Sequence, residues 1–200
     1  MTKKRLAEIL KQNSSPENQS ISTEQGLLAA EMMTDAANDA GVDCALAGGL
    51  AMHLYGFTRA TKDVDMVASE RLKREAVSEL TFGGEIYQVD VQGRMIEIDW
   101  IVRDDEKAEV YQAALADAAS SGQLKIITPE WMVILKKLAD RGKDHLDLLW
   151  LLRHDGLVDR AEVTRLAQKI FDRYAYLFLQ DMESVYLEAD LMRAKDERGK

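Results

Sequence analysis

Along the chain, apolar positions keep to two periods, one near 3.6 residues and one of 2. Helical spacing over residues 23–40, with Thr23 placed to cap it and Gly41 to end it, predicts a first long helix. A short apolar run, DCALA at 43–47, predicts a buried strand, and residues 49–55 a helix. DVDMVA at 63–68 alternates as a strand does. Residues 70–80 place Leu72, Ala76 and Leu80 on one helical face. EIYQVDV (85–91) and RMIEIDWIV (94–102) flank Gln92-Gly93, which predicts a hairpin. A helix over 104–119 and a strand over 124–128 follow. Thr128 then caps a helix running to about residue 140, with Pro129 in its first position.

Residues 143–156 are apolar on most sides, so that helix should be buried. Helices over 159–169 and 171–195 complete the pattern, the last with a stripe of Phe171, Tyr174, Phe178, Met182, Val185 and Ala189. Ahead of all this, residues 3–12 read as a short helix and the polar stretch 13–22 as a linker. The expected organisation is an N-terminal helix and linker (1–22), an α/β (α+β) core built on a small mixed sheet (23–128) and a helical C-terminal part (129–200), with no internal repeat.

Composition narrows the functions open to such a chain. Its 200 residues are 46% hydrophobic, enough for a real core, and its net charge is −9. That surface repels duplex phosphate and argues against non-specific nucleic-acid binding. The lone cysteine, Cys44, lies in an apolar run, which excludes a disulfide framework and fits a reducing cytoplasm. MTKKRLAEIL at the start does not read as a signal peptide, and no apolar run approaches the roughly 20 residues of a membrane helix. The aromatic stripe near the C-terminus suits a core or the seam of a homodimer.

The candidate chemistry lies between residues 45 and 99. In an extended strand, residues i and i+2 point the same way, so Asp63 and Asp65 project together with Val64 and Met66 packed behind them. Two adjacent carboxylates repel, and a divalent cation with hard oxygen ligands, such as Mg²⁺, is the common remedy. Asp99 shares a strand face with Glu97 and can join the pair if the two strands are neighbours. Three carboxylates could hold two metal ions, an arrangement suited to phosphoryl or nucleotidyl transfer. Gly48 and Gly49, ahead of a helix, leave room for phosphate oxygens at the backbone. His53, His145 and His154 are scattered without metal-ligand spacing.

Gly48-Gly49, Tyr55-Gly56, Arg59, Thr61, Asp63-x-Asp65 and then Asp99 together resemble the nucleotidyltransferase fold of the polymerase-β-like superfamily, in particular its small bacterial and toxin-like members. A second block, ILKKLADRGKDHLDLLWLL, is similar to the family's helical segment at Lys136, Arg141, Lys143, Asp144 and Asp147. The resemblance spans about residues 25–155. It implies an Mg²⁺-dependent transfer of a nucleoside monophosphate from an NTP to an acceptor hydroxyl on a small molecule, RNA or protein. Asp63, Asp65 and Asp99 are then the catalytic metal ligands, and Gly48, Gly49, Arg59, Thr61 and Lys136 the nucleotide contacts. Many active members carry Gly-Ser where this chain has Gly48-Gly49, which leaves open a non-catalytic nucleotide-binding or protein-interaction module.

Overall fold

A computed structural model describes residues 20–57 and 59–198. The short helix expected at 3–12 and most of the linker after it lie outside the described residues. Helix α1 (Thr23–Ala40) is capped one residue earlier than expected, by Ser22 in a reciprocal capping box with Gln25, and ends on left-handed Gly41. It is followed by β1 (Cys44–Leu46), α2 (Gly48–Leu54) and β2 (Asp63–Ala68), then by β3 (Ser78–Glu79), β4 (Gly84–Val91) and β5 (Arg94–Ile101). Next come α3 (Ala108–Ala116), β6 (Ala119–Ser121), β7 (Leu124–Ile126), α4 (Pro129–Ala139), α5 (Gly142–Arg153), α6 (Arg160–Phe171) and α7 (Ala175–Arg198). Among the described residues no helix is long and apolar enough to cross a membrane.

One mixed seven-stranded sheet runs in the order β3-β4-β5-β2-β1-β7-β6. At its centre β2 and β5 are parallel, and β1 is antiparallel to β2 and parallel to β7. The β4–β5 hairpin turns on Gln92 and Gly93, both at positive φ (56° and 83°), the handedness that a two-residue hairpin loop requires. Alternation decides the faces: Ile96, Ile98 and Trp100 are buried along β5, while Glu97 is exposed and Asp99 half-buried. Helix α1 lies against β2, β4 and β5, whereas α3 lies against β2 and α4. The C-terminal helices form a second cluster in which α5 packs on α4 and α7, and α6 on α4 and α7. Residues 131–136 of α4 are all buried, and that helix packs on α3, α5 and α6.

Three expected elements differ. Residues 70–80 form no helix: they cross the open edge of β4 as an irregular segment that ends in β3. The backbone N–H of Val77 donates to the Ile86 carbonyl (2.8 Å), Trp100 Nε1 donates to the Glu70 carbonyl (2.9 Å), and Tyr87 Oη lies 3.3 Å from the Leu72 carbonyl while also meeting Glu85. A short isolated helix is only marginally stable, and these tertiary donors, together with an edge that needs covering, override its propensity. The helix expected at 104–119 shortens to α3, and the chain after it pairs as the β6–β7 hairpin, with β7 ending at Ile126. The C-terminal stripe is broken at its start. Asp172 takes a φ of 45° and opens a 3₁₀ turn over Asp172–Tyr174, so Tyr174 is exposed, while Met182, Val185 and Ala189 are buried as expected.

Replacing Tyr87 with Phe keeps the buried ring and removes the hydroxyl that ties residues 70–77 to the sheet. The expected cost is about 1 kcal/mol of unfolding free energy, the net worth of one such hydrogen bond. Urea denaturation monitored by tryptophan fluorescence checks it, and an unchanged midpoint would show that backbone pairing and the Trp100 bond hold the segment without the hydroxyl.

Candidate active site

The parallel pairing of β2 with β5 sets Asp63 opposite Glu97 and Asp65 opposite Asp99. Asp63, Asp65 and Asp99 line one cavity of about 360 Å³, within the usual range for small-molecule sites. Apolar residues Val67, Ile101, Met132 and Leu135 also line it, and Arg103, Lys107, Lys136, Arg141 and Lys143 supply cations around it. Of the other residues singled out in the sequence, Gly48 and Lys136 also line the cavity, whereas Gly49, Arg59 and Thr61 do not.

Gly48 has a φ of 59°, and a Cβ built on it would stand 1.7 Å from Asp65 Oδ2. The glycine is therefore required by the carboxylate itself, which fills the space a side chain would need. Gly49 N–H points at the same oxygen over a long 3.4 Å. A Cβ on Gly49 would meet Thr61 Oγ1 at 2.6 Å. That hydroxyl lies 3.2 Å from both the backbone carbonyl and the carboxylate Oδ1 of Asp63. Thr61 thus braces the Asp63 carboxylate without itself lining the cavity.

Electrostatically the three acids are uneasy neighbours. Burial raises the pKa of Asp99 to about 7, reinforced by the charges of Asp65, Asp63 and Glu97 and opposed by Lys143. Burial, then Asp63, also raises that of Asp65, against the pull of Lys136 and Lys143. A cation bound between these groups would remove the repulsion, and hard carboxylate oxygens are the donors Mg²⁺ prefers. The fit is one of chemistry and placement: among the described residues no three acidic, imidazole or thiol groups already close around a common point.

Arg59 and Lys136 turn instead to a buried anion pair on α5. Arg59 grips Asp147 with two parallel bonds, Nε to Oδ1 at 2.7 Å and the second guanidinium nitrogen to Oδ2 at 2.9 Å. Lys136 Nζ lies 2.6 Å from Asp147 Oδ2, an oxygen it shares with Arg59, and 2.8 Å from Asp144 Oδ1. Arg141 completes the cluster through Asp144. Asp144 and Asp147 are fully buried, and Lys136 is only 6% exposed. Burial works against the charge of Asp144, but its bonds to Arg141 and Lys136 outweigh that and lower its pKa. The loop carrying Arg59 is further fastened by Phe57 stacked on Trp150 (centroids 4.9 Å) and by Tyr55 Oη donating to the Ile127 carbonyl.

Sequence reasoning missed the wall formed by Phe82, Arg103 and Tyr111. Arg103 lies between the two rings, 5.0 and 5.2 Å from their centroids, and is held by Asp105. Only the position of Arg103 just past the strand that carries Asp99 could have pointed to it.

Two outcomes follow from these charges. Without metal, Asp99 binds its proton more tightly in the folded state (pKa about 7) than in the unfolded chain (about 4). At Asp99 the folded state thus holds more of the proton across this window, and the contribution of this group to stability falls as pH rises from about 4 to about 7. In EDTA, Asp99→Asn is expected to melt several degrees above the wild type at pH 8, with the gap closing towards pH 4.5. A parallel pair of thermal curves would refute the assignment. Lys136→Met leaves Asp144 and Asp147 short of one buried partner and is expected to cost about 3 kcal/mol in urea unfolding. Adding Asp144→Asn should recover part of that loss.

No protein-family model and no curated protein matches the chain. Among solved structures it is similar to an antigenic nucleotidyltransferase-like protein from Paracoccidioides brasiliensis, at 17% identity and a TM-score of 0.48 over 84% of this chain and 95% of that one. A candidate nucleotidyltransferase from H. pylori aligns at 13% identity and a TM-score of 0.46, over 90% of this chain and 99% of the other. The antibiotic-resistance factor ANT(2'')-Ia aligns at 15% identity and a TM-score of 0.40, over 90% and 98% of the two chains.

Proposed function

We propose that the chain is an Mg²⁺-dependent nucleotidyltransferase that moves a nucleoside monophosphate from an NTP to an acceptor hydroxyl and releases pyrophosphate. The observation that carries this reading is the in-register pair Asp65 and Asp99, with Asp63 beside them, on the wall of a cavity that also carries cations. The motif resemblance around Gly48-Gly49 and Asp63-x-Asp65 supports it. In this reading Asp63, Asp65 and Asp99 hold the metal. When bound, Mg²⁺ supplies activation of the acceptor hydroxyl and charge neutralisation at the leaving pyrophosphate. Gly48 keeps the backbone clear so that the Asp65 carboxylate can occupy the cavity wall. Thr61 fixes the orientation of Asp63. Arg59 and Lys136 act through Asp147, holding the loop before β2 against α5. Most of the rate enhancement would come from positioning and from charges fixed before the substrate arrives.

A nucleotide-binding module without transfer is the second reading. It is favoured by Gly49, where Thr61 Oγ1 occupies the space in which a serine side chain would begin.

The test is release of phosphate products from a mixture of the four NTPs with Mg²⁺ and a cell extract as the source of acceptor. Pyrophosphate is the expected product. Asp99→Asn should lower its release about 10²-fold or more, with Mg²⁺–NTP binding near that of the wild type. Asp63→Asn combined with Asp65→Asn should abolish the extra rise in melting temperature that Mg²⁺ gives in the presence of NTP. Nucleoside diphosphate in place of pyrophosphate would mean transfer of the terminal phosphoryl group. Binding without any release would favour the second reading.

A further inference from the structure

The cavity cations divide by how far their charge is already committed. Lys136 is buried, with Nζ 2.8 and 2.6 Å from two aspartates. Arg103 is bound to Asp105 and enclosed by two rings. Arg141 is bound to Asp144, and Lys107 Nζ donates to the Leu138 carbonyl at 3.0 Å. Lys137, next to Lys136, does not line the cavity. Lys143 differs from all of these. It lines the cavity from the first turn of α5, is exposed, and makes no hydrogen bond or ion pair with a described residue. Its charge is nevertheless felt at both Asp65 and Asp99 across the cavity.

Resting on the nucleotidyltransferase reading, we infer that Lys143, and not Lys136, is the lysine that grips the polyphosphate of the NTP. A lysine ammonium is a compact point charge on a flexible stem, suited to phosphate oxygens whose exact position varies. It can follow the ligand because no protein group holds it. Lys136 cannot do so without taking a buried partner from both Asp144 and Asp147. Its part is to hold α5, and hence Lys143, in place against α4. With a metal-bound triphosphate in place, the metal would neutralise the carboxylates, and Lys143, which no protein group holds, would be available to the phosphates.

Inorganic tripolyphosphate with Mg²⁺ is the probe that tests this, because it presents the phosphates without base or sugar. Mg²⁺–ATP and Mg²⁺–GTP are titrated beside it by calorimetry. Lys143→Gln is expected to weaken all three by roughly tenfold or more, the scale of a lost charge-assisted hydrogen bond. Lys143→Arg should stay within about threefold of the wild type, because it keeps the charge. Lys137→Gln, which removes the same charge from the next helix, should stay within about twofold, since a solvated charge off the cavity is screened. Lys143→Gln is an exposed change and should leave the melting temperature without ligand unaltered. If the wild type binds the probe and Lys143→Gln binds it equally well, the assignment is overturned and the nucleotide reading stands. If Lys137→Gln weakens binding as much as Lys143→Gln, general charge is responsible and the assignment is also overturned. If the wild type binds neither tripolyphosphate nor nucleotide with Mg²⁺, the nucleotide reading itself falls and takes the assignment with it.

Discussion

Parallel pairing of β2 with β5 in a single register is the constraint from which the site follows. It brings Asp65 and Asp99 side by side, two like charges that a folding chain would otherwise keep apart. A slip of one residue would turn Asp99 to the apolar face and Trp100 to the cavity. The register is protected by what lies behind it: Val64, Met66, Ile98 and Trp100 are all buried, and none could change faces without losing its packing. Apolar burial on one side of the sheet thus enforces electrostatic repulsion on the other. The raised pKa values of Asp65 and Asp99 are the trace of that conflict.

The helical part answers the same conflict at a distance. Asp147 meets both Arg59 and Lys136, so one buried carboxylate joins the loop before β2, the helix α4 and the helix α5. Such a cluster adds little net stability compared with apolar packing, but it holds its members in one arrangement. Of helix α5, it is the first turn that reaches the cavity, through Lys143 and Asp144.

Much of this was legible in the sequence. The alternation of DVDMVA and MIEIDW placed the three acids on common strand faces, and Gln92-Gly93, Gly41 and Thr128-Pro129 marked turn and helix ends that the structure contains. The roles of the basic residues were not legible. Lys136 and Lys137 are adjacent on one helix, and which of them faces inward depends on aspartates on a different helix. Residues 70–80 misled for a similar reason: their composition suits a helix, but the donors that fix them, Tyr87 and Trp100, lie on strands further along the chain. Gly48 was legible as a residue that must lack a side chain, but the group that needs the space is a protein carboxylate.

The bond between Arg59 and Asp147 joins residues 88 positions apart. During synthesis, every strand of the sheet leaves the ribosome before Asp147 does. Over that interval the three acids can already be aligned while the loop before β2 has no anchor and Lys136 has neither of its partners. Contacts of such long sequence separation form late, because the loop they close must first lose its freedom. A nascent chain would therefore possess the carboxylates before the frame that organises the cations around them. In temporal terms, the site is finished from its C-terminal side, and a chain stopped short of α5 would carry the acids without Lys143 and without the aspartates that hold Arg59 and Lys136.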